Sequence, residues 1–142
     1  MFNHESPLRS KEFVTKKIID TAIMIKKDRN VILRLGNVNI YRDWGWAPDY
    51  IRAIWLMMQR NKPRDFLIGS GKTHSLNDFV NEVFKYLNIS KKNLKTNVSK
   101  YKRKIDLRGY KANITDTQKK LKWKPRLKFK AIIHKMINNE LF

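Results

Sequence analysis

The sequence of 142 residues contains no cysteine, three histidines, five glycines and four prolines. The absence of cysteine excludes disulfides, thiolate metal sites and thiol nucleophiles. The histidines, at positions 4, 74 and 134, are too widely separated to predict a histidine metal cluster. The longest apolar runs, such as residues 54–58, fall far short of the ~18 residues that cross a bilayer. The first seven residues also lack the basic and apolar stretches of a signal peptide, so we expect a cytoplasmic protein with no membrane partner.

Acidic residues are scarce too, because 12 Asp and Glu stand against 32 Lys and Arg and leave a formal net charge of +20. This excess predicts an anionic partner, such as a nucleic acid, a nucleotide, a phosphosugar or an acidic protein. Hydrophobic residues make up 42% of the chain, which is enough to build a packed core. Length and composition therefore favour a single domain over residues 1–142.

Apolar residues recur at helical spacing in several segments, and short β-branched or apolar runs lie between them. Ser75 and Asp78 have the spacing of a capping box, and Thr115 with Gln118 repeats that spacing. The alternation of helices and short strands predicts an α/β fold. Predicted helices cover residues 10–27, 48 to about 60, 76–87, a short segment from 115 and a last segment over 129–137, with predicted strands over 31–35, 66–68 and 94–98.

A set of short motifs extends from the first residues almost to the C-terminus. They are Phe-Asn-His-Glu-Ser-Pro at 2–7, Phe-Val-Thr-Lys-Lys-Ile at 13–18, Leu-Gly-Asn at 35–37, Arg-Asp-Trp-Gly at 42–45, Asp-Tyr at 49–50, Thr-His-Ser at 73–75, Tyr-Lys-Arg at 101–103 and Leu-Lys-Trp-Lys-Pro at 121–125. Each motif alone is weak, but the ordered set is highly specific. In order and spacing it resembles the C-terminal half of the GDP-mannose 4,6-dehydratases.

Members of that family are extended short-chain dehydrogenase/reductases, with an N-terminal Rossmann domain and a smaller substrate domain built mostly from the later sequence. This chain resembles the later part only. The resemblance implies a lyase of nucleotide-sugar metabolism, in GDP-fucose biosynthesis, that removes water from GDP-mannose to give a 4-keto-6-deoxy sugar. It also implies a tightly held NADP, which performs the hydride chemistry.

The catalytic parts of such an enzyme are missing from these residues. A dinucleotide site needs a glycine-rich turn, and the nearest match, Gly69-Ser70-Gly71, lacks the third glycine and is more typical of a plain loop between a strand and a helix. The family's Tyr-x-x-x-Lys pair is also absent, since none of the five tyrosines is followed by a lysine four positions later. We therefore expect a truncated dehydratase that is inactive alone, with a separate Rossmann-domain chain or a homo-oligomer as its partner.

The resemblance assigns the substrate side of the site to residues that match the family's motifs. Arginine can grip phosphate oxygens in pairs and lysine adds a compact charge, so these residue types suit a sugar nucleotide. The residues implied for the GDP-sugar are Asn3, Lys17, Arg42, Arg103 and Asp106, and those implied for NADP are His4 and Arg9.

The same residues also have structural interpretations. Lys17 fits a solvated helix surface, and Arg42 with Asp43 fits a surface ion pair. His74 fits a turn, and the four tryptophans fit core packing better than base stacking.

For the whole chain, the alternative function is a basic, non-catalytic nucleic-acid-binding module. The net charge of +20 and the lysine-rich residues 91–104 support it. Against it, the sequence has no helix-turn-helix, no aromatic RNA-binding strand and no zinc-ligand spacing, so nucleic acid is not the expected partner. A non-catalytic interaction protein is a third interpretation, because such a role requires the fold but none of the catalytic residues.

Overall fold

Helices and very short strands alternate along the chain in a computed structural model that describes residues 1–101 and 109–141. Within these residues, the helices are α1 (Val14–Lys27), α2 (Ala47–Met58), α3 (Leu76–Leu87), α4 (Thr115–Leu121) and α5 (Phe129–Asn138). The strands are β1 (Asn3–Glu5), β2 (Leu33–Arg34), β3 (Tyr41–Arg42), β4 (Trp44–Trp46), β5 (His74–Ser75) and β6 (Leu94–Lys95). Short 3-10 turns at Lys91–Asn93 and Ser99–Tyr101 flank β6. The predicted α/β alternation is confirmed.

In the described part of the chain, the strands form three separate pairs. Strands β1 and β4 run parallel, with Asn3 opposite Trp44. Strands β2 and β6 also run parallel, whereas β3 and β5 run antiparallel with Arg42 opposite His74. Because a single residue, Asp43, separates β3 from β4, these pairings bring the first residues of the chain close to Arg42.

The larger hydrophobic core lies between α1, α3 and α5, which pack against one another. A capping box fixes the start of α3, as the sequence predicts. The Ser75 hydroxyl accepts a hydrogen bond from the Asp78 amide at 3.0 Å, and the Asp78 carboxylate accepts one from the Ser75 amide at 2.9 Å. Trp44 joins this core from β4, with its ring 5.6 Å from that of Phe79.

A second core lies between α2, α4 and the chain around residue 68. The indole N–H of Trp123 donates to the carbonyl of Asp49 at 3.0 Å. The carboxylate of Asp49 in turn accepts hydrogen bonds from the amides of Arg126 and Leu127, at 2.7 and 3.1 Å. These bonds tie the start of α2 to the chain that leads into α5.

The predicted strand over residues 66–68 is wrong. The carbonyl of Ile68 accepts a hydrogen bond from the Phe2 amide at 2.8 Å, and the carbonyl of Leu67 accepts one from the Thr117 hydroxyl at 2.8 Å. These partners are the N-terminal residues and a helix side chain. Neither partner offers a series of backbone donors and acceptors along this segment, so the hydrogen bonds of a β-sheet do not form there.

Three helix starts also differ from the predictions, although that of α2 differs by one residue only, at Ala47 instead of residue 48. Helix α1 begins at Val14 and not at residue 10, because the Phe13 amide closes a turn onto the Ser10 carbonyl at 3.2 Å and Phe13 itself is extended. Thr115 is the first residue of α4 and not its cap. Its amide donates to the side chain of Asn113 at 3.2 Å.

Three of the four tryptophans are packing residues, as predicted: Trp44, Trp46 and Trp123 are all buried. The prediction is wrong for Trp55, which is 59% exposed on α2. That helix buries its opposite face, which includes Tyr50 and Ala53. Both faces of the helix are largely apolar, so the spacing of apolar residues alone does not show which face is covered. Among the described residues, no helix is long and apolar enough to cross a membrane.

Candidate functional site

An open cleft of about 740 Å³ lies between β1, the start of α1 and residues 35–42. Four of the residues that the resemblance implicates in ligand binding line it: Asn3, Arg9, Lys17 and Arg42. Three of these four side chains are cationic. The fold therefore gathers segments that are far apart in sequence into one cleft. Its three cations outnumber the two carboxylates that also line it, those of Glu5 and Glu12, so the lining keeps a positive charge suited to an anion.

Lys17 is held in place near the N-terminus of α1. Its ammonium donates a hydrogen bond to the Arg34 carbonyl at 2.9 Å and lies 3.7 Å from the centroid of the Tyr101 ring. The side chain is half-buried. Lys17 is therefore partly exposed, as the interpretation of a solvated lysine expects, but it is also held by two specific contacts.

Arg42 lies on β3, and its guanidinium donates to the Tyr41 carbonyl at 2.8 Å. The guanidinium carbon is 5.5 Å from the centroid of the Tyr110 ring, which packs edge-on against Phe2 at 5.4 Å. Gly109 permits this approach, because a Cβ at that position would fall 2.6 Å from the Cβ of Tyr41. Aromatic contacts thus restrict both Arg42 and Lys17, and a restricted cation loses less freedom when it binds a ligand.

Asp43 is completely buried, so the interpretation of Arg42 and Asp43 as a surface ion pair is wrong. One carboxylate oxygen accepts a hydrogen bond from the Ser70 amide at 2.7 Å. The other accepts from the amides of Gly71 and Ala112, at 2.9 and 3.2 Å. Asp43 therefore fixes the loop over residues 69–71 and the chain at residue 112 against the strand that carries Arg42.

Arg9 is held by three groups at the edge of the cleft. Its guanidinium donates to the His4 carbonyl at 3.2 Å and lies 3.5 Å above the centroid of the Phe13 ring. Its Nε is 3.6 Å from the carboxylate of Glu5, which also accepts a hydrogen bond from the Thr15 hydroxyl at 2.7 Å. Burial raises the pKa of Glu5 from 4.5 to about 7, although Thr15 and Arg9 both act to lower it.

His4 does not line the cleft with the other implicated residues. Its Nδ1 lies 3.3 Å from the Phe2 carbonyl, and its ring centroid is 5.9 Å from that of Tyr50. The Tyr50 hydroxyl is buried with no hydrogen-bond partner among the described residues. Burial, together with the carboxylates of Asp43, Asp49 and Glu5, raises the pKa of this phenol well above its usual value, so Tyr50 is neutral at physiological pH.

Arg103 and Asp106, the two remaining residues implied for the GDP-sugar, lie outside the described residues. The structure adds three residues around the cleft that the sequence does not single out as site residues: Glu5, Thr15 and Asp43. Glu5 and Thr15 do lie within the matched motifs at 2–7 and 13–18. Their hydrogen bond spans ten residues, so nothing in the local pattern pairs them.

A second cleft, of about 800 Å³, shares Trp44 with the first. His74 lies there on β5 and stacks face to face on Phe129, with ring centroids 3.8 Å apart, so its interpretation as a turn residue is wrong. Burial lowers the pKa of His74. Glu82, also on this cleft, pairs with His134 at 2.8 Å. No group of three or more His, Asp or Glu that could hold a metal ion occurs within the described ranges.

Solved structures of other proteins share the fold of this chain over part of their length. A dTDP-glucose 4,6-dehydratase from Bacillus anthracis, in complex with NAD, superposes with a TM-score of 0.82 at 18% identity, covering 97% of this chain and 42% of its own. A UDP-glucose 4-epimerase from Thermotoga maritima, with UDP-glucose, gives a TM-score of 0.81 at 20% identity, covering 97% of this chain and 43% of its own. The fold is thus a portion of the extended short-chain dehydrogenase/reductase fold.

The sequence comparisons identify the family. The family model for GDP-mannose 4,6 dehydratase matches residues 1–136. GDP-mannose 4,6 dehydratase 1 of Arabidopsis thaliana is 34% identical over 99% of this chain and 39% of its own length. The human GDP-mannose 4,6 dehydratase is also 34% identical, over 99% of this chain and 42% of its own length. The GDP-mannose 4,6 dehydratase of Dictyostelium discoideum is 52% identical over 63% of this chain and 25% of its own length. The chain belongs to the GDP-mannose 4,6 dehydratase family and spans about two fifths of the length of the relatives it matches end to end.

Proposed function

We propose that this chain is the substrate-binding portion of a GDP-mannose 4,6-dehydratase and that its basic cleft binds the diphosphate of GDP-mannose. One observation carries the proposal: Asn3, Lys17 and Arg42, which the family resemblance assigns to the GDP-sugar, all line one cleft. In this proposal Arg103 and Asp106 complete the substrate contacts. The reaction removes water from the sugar to give a 4-keto-6-deoxy product.

The cations of the cleft suit a sugar diphosphate. The diphosphate is anionic at neutral pH, and charge-assisted hydrogen bonds to it are roughly twice as strong as neutral ones. Arg42 offers a planar set of donors and Lys17 a point charge, while Asn3 offers a neutral amide. These donors differ in geometry, so together they favour one orientation of the ligand, which a purely electrostatic attraction would not do.

The fit to NADP is partial. Arg9 lies on the cleft and is suited to a phosphate of the cofactor, whereas His4 points elsewhere. The amides of Ser70 and Gly71 donate to Asp43, so the glycines nearest to a dinucleotide motif offer no cradle for a pyrophosphate. When bound, NADP supplies the hydride chemistry. In our proposal its main site, and the tyrosine and lysine of catalysis, come from a Rossmann domain that these residues do not include.

The surface of α2 supports a partner of that kind. Ile51, Trp55 and Met58 are spaced along one face of the helix and are 64%, 59% and 77% exposed. Large side chains in one stripe mark an interaction surface more often than scattered ones do. We propose that a Rossmann-type domain covers this stripe, either on the same polypeptide or on a separate chain, with self-association through α2 as the alternative partner.

Calorimetric titration of the chain with GDP-mannose, with mannose and with a short DNA duplex tests the proposed function. We expect weak binding of GDP-mannose and none of mannose, because the diphosphate supplies the charge that the cleft recognises. If GDP-mannose does not bind while the duplex binds with a steep dependence on salt, the alternative of a nucleic-acid-binding module is supported instead.

A further inference from the structure

The second cleft, of about 800 Å³, has no part in the proposed function, and its volume is that of a site for one small molecule. Five Lys and Arg side chains line it against two carboxylates, those of Asp78 and Glu82. The Asp78 carboxylate accepts the Ser75 amide of the capping box at 2.9 Å. The Glu82 carboxylate lies 2.8 Å from His134 and 3.7 Å from Lys130. Both acidic side chains therefore have partners within the protein, and the lining keeps a positive charge.

The other four cations of this cleft are exposed, and within residues 1–101 and 109–141 none of them forms an ion pair with a carboxylate. They are Lys72, Lys85, Arg126 and Lys128. They come from three separate segments of the chain, so the fold brings them together around one space. Their charges are available to an anion that enters the cleft.

The backbone that carries these cations is fixed on two sides of the cleft. The Ser70 hydroxyl accepts the Lys72 amide at 3.2 Å, and the Ser70 amide donates to the buried carboxylate of Asp43 at 2.7 Å. Across the cleft, the Arg126 amide donates to the Asp49 carboxylate at 2.7 Å. Because both walls are already ordered, a ligand does not have to order them when it binds.

Aromatic rings form the apolar part of the cleft. His74 and Phe129 stack with ring centroids 3.8 Å apart and an angle of 6° between the ring planes, and both are half-buried. Lys72 precedes His74 by two positions, and Lys128 directly precedes Phe129. The cleft thus combines a pair of flat rings with cations on the same chain segments.

We propose that the second cleft is a nucleotide-binding site, in which a nucleobase stacks on the rings of His74 and Phe129 while its phosphate binds Lys72, Arg126 and Lys128. Proteins bind nucleotides of any base with aromatic rings and cations together, because every base has a flat face. An acidic peptide would use the cations but leave the ring pair without a role. The nucleotide is either free or one unit of a single strand. The inference does not depend on the function of the basic cleft.

NMR titration of the ¹⁵N-labelled chain tests the proposal, because it reports each cleft separately. The ligands are AMP, ribose 5-phosphate and adenosine. We expect AMP to shift the amide signals of residues 72–74 and 127–130. Ribose 5-phosphate keeps the phosphate and lacks the base, so it should bind there roughly 5- to 150-fold more weakly, which is the range that stacking of one base contributes. Adenosine, without the phosphate, should also bind more weakly than AMP.

Two variants separate the charge of the cleft from the charge of the chain. Lys72→Ala combined with Lys128→Ala should weaken AMP binding about tenfold or more, because two phosphate contacts are lost. Lys26→Ala combined with Lys27→Ala is the matched control, since it removes the same charge from exposed residues outside both clefts and should leave the affinity unchanged.

A third variant tests the ring pair. His74→Ala should bring the affinity for AMP close to that for ribose 5-phosphate, and should leave ribose 5-phosphate binding as in wild type. Thermal melts establish that each variant is folded. If His74→Ala does not fold, the comparison of AMP with ribose 5-phosphate on wild type still tests the stacking.

The proposal is overturned if AMP causes no shifts around the second cleft, if ribose 5-phosphate binds there as tightly as AMP, or if the control pair of lysine substitutions weakens binding as much as the cleft pair. A single strand of eight deoxyadenylates distinguishes the two sources of the nucleotide. Affinity at least tenfold above that of AMP at residues 72–74 and 127–130 indicates a strand, and equal affinity indicates a free nucleotide.

Discussion

Asp43 offers the sharpest test of how the site is held together, and Asp43→Asn is the change that probes it. The native carboxylate accepts three backbone hydrogen bonds, from Ser70, Gly71 and Ala112. Asparagine keeps one acceptor oxygen and turns the other into a donor. In its better orientation the amide oxygen keeps the bonds from Gly71 and Ala112 and loses the one from Ser70, where an N–H group then faces another N–H group.

The magnitude follows from these three bonds. A hydrogen bond to a charged acceptor contributes about 1.5 to 3 kcal/mol, and one to a neutral acceptor about 1 kcal/mol. Losing one charged bond and weakening two others therefore costs roughly 3 to 5 kcal/mol. Asp43 is fully buried, so solvent does not reduce this figure. Because native domains are stable by only about 5 to 15 kcal/mol, the variant should be severely destabilised.

Urea denaturation followed by circular dichroism at pH 7 measures the effect. With a denaturant slope of roughly 2 kcal/mol/M, the expected loss lowers the unfolding midpoint by about 2 M. Asp65→Asn is the matched control, because Asp65 is exposed and its variant should stay within about 0.5 kcal/mol of wild type. A loss below about 1 kcal/mol for Asp43→Asn would refute the assignment of Asp43 as the anchor of residues 69–71 and 112.

Three further predictions concern stability and activity. The pKa of Glu5 is higher in the folded protein than the ordinary 4.5, so folding takes up a proton and the free energy of unfolding should fall as pH rises from about 4.5 through 7. At pH 8, Glu5→Gln should therefore raise the free energy of unfolding, measured in urea, by roughly 2 to 3 kcal/mol. A variant with the same dependence of stability on pH as wild type would contradict this. Gly69→Ala should lower the free energy of unfolding by about 1 to 3 kcal/mol, since its Cβ would fall 2.3 Å from the Cβ of Ala112; equal stability would count against the close packing. The chain alone, incubated with GDP-mannose and NADP, should form no 4-keto sugar, and turnover would refute its description as the substrate-binding portion alone.

Local patterns in the sequence predict local structure well. The capping box of Ser75 and Asp78 forms as expected, because its two hydrogen bonds depend only on residues three apart. Residues 66–68 have the composition of a strand but not the structure, since a strand also needs a partner and none of the neighbouring segments provides one. Trp55 shows the same limit, because spacing defines the helix but not which of its two apolar faces is covered.

Long-range contacts around the site are the part that the sequence does not show. The resemblance predicts that Asn3, Lys17 and Arg42 act together, and they do share a cleft. Asp43 lies in the same motif as Arg42, but its partners lie 27 to 69 positions away and donate through backbone amides. Because every residue type except proline carries such an amide, no pattern of side chains could reveal them.

The central claim is that the basic cleft binds a sugar nucleotide through specific cations, and one comparison tests it most directly. Calorimetric titrations with GDP-mannose would be run on wild type, Arg42→Ala and the control Arg29→Ala, which removes an exposed arginine outside the cleft. We expect Arg42→Ala to weaken binding by about 1.5 to 3 kcal/mol, or roughly 10- to 150-fold, and Arg29→Ala to leave it unchanged. If both variants bind GDP-mannose as wild type does, or if both lose affinity equally, the ligand is attracted by the net charge of the chain and the claim is contradicted.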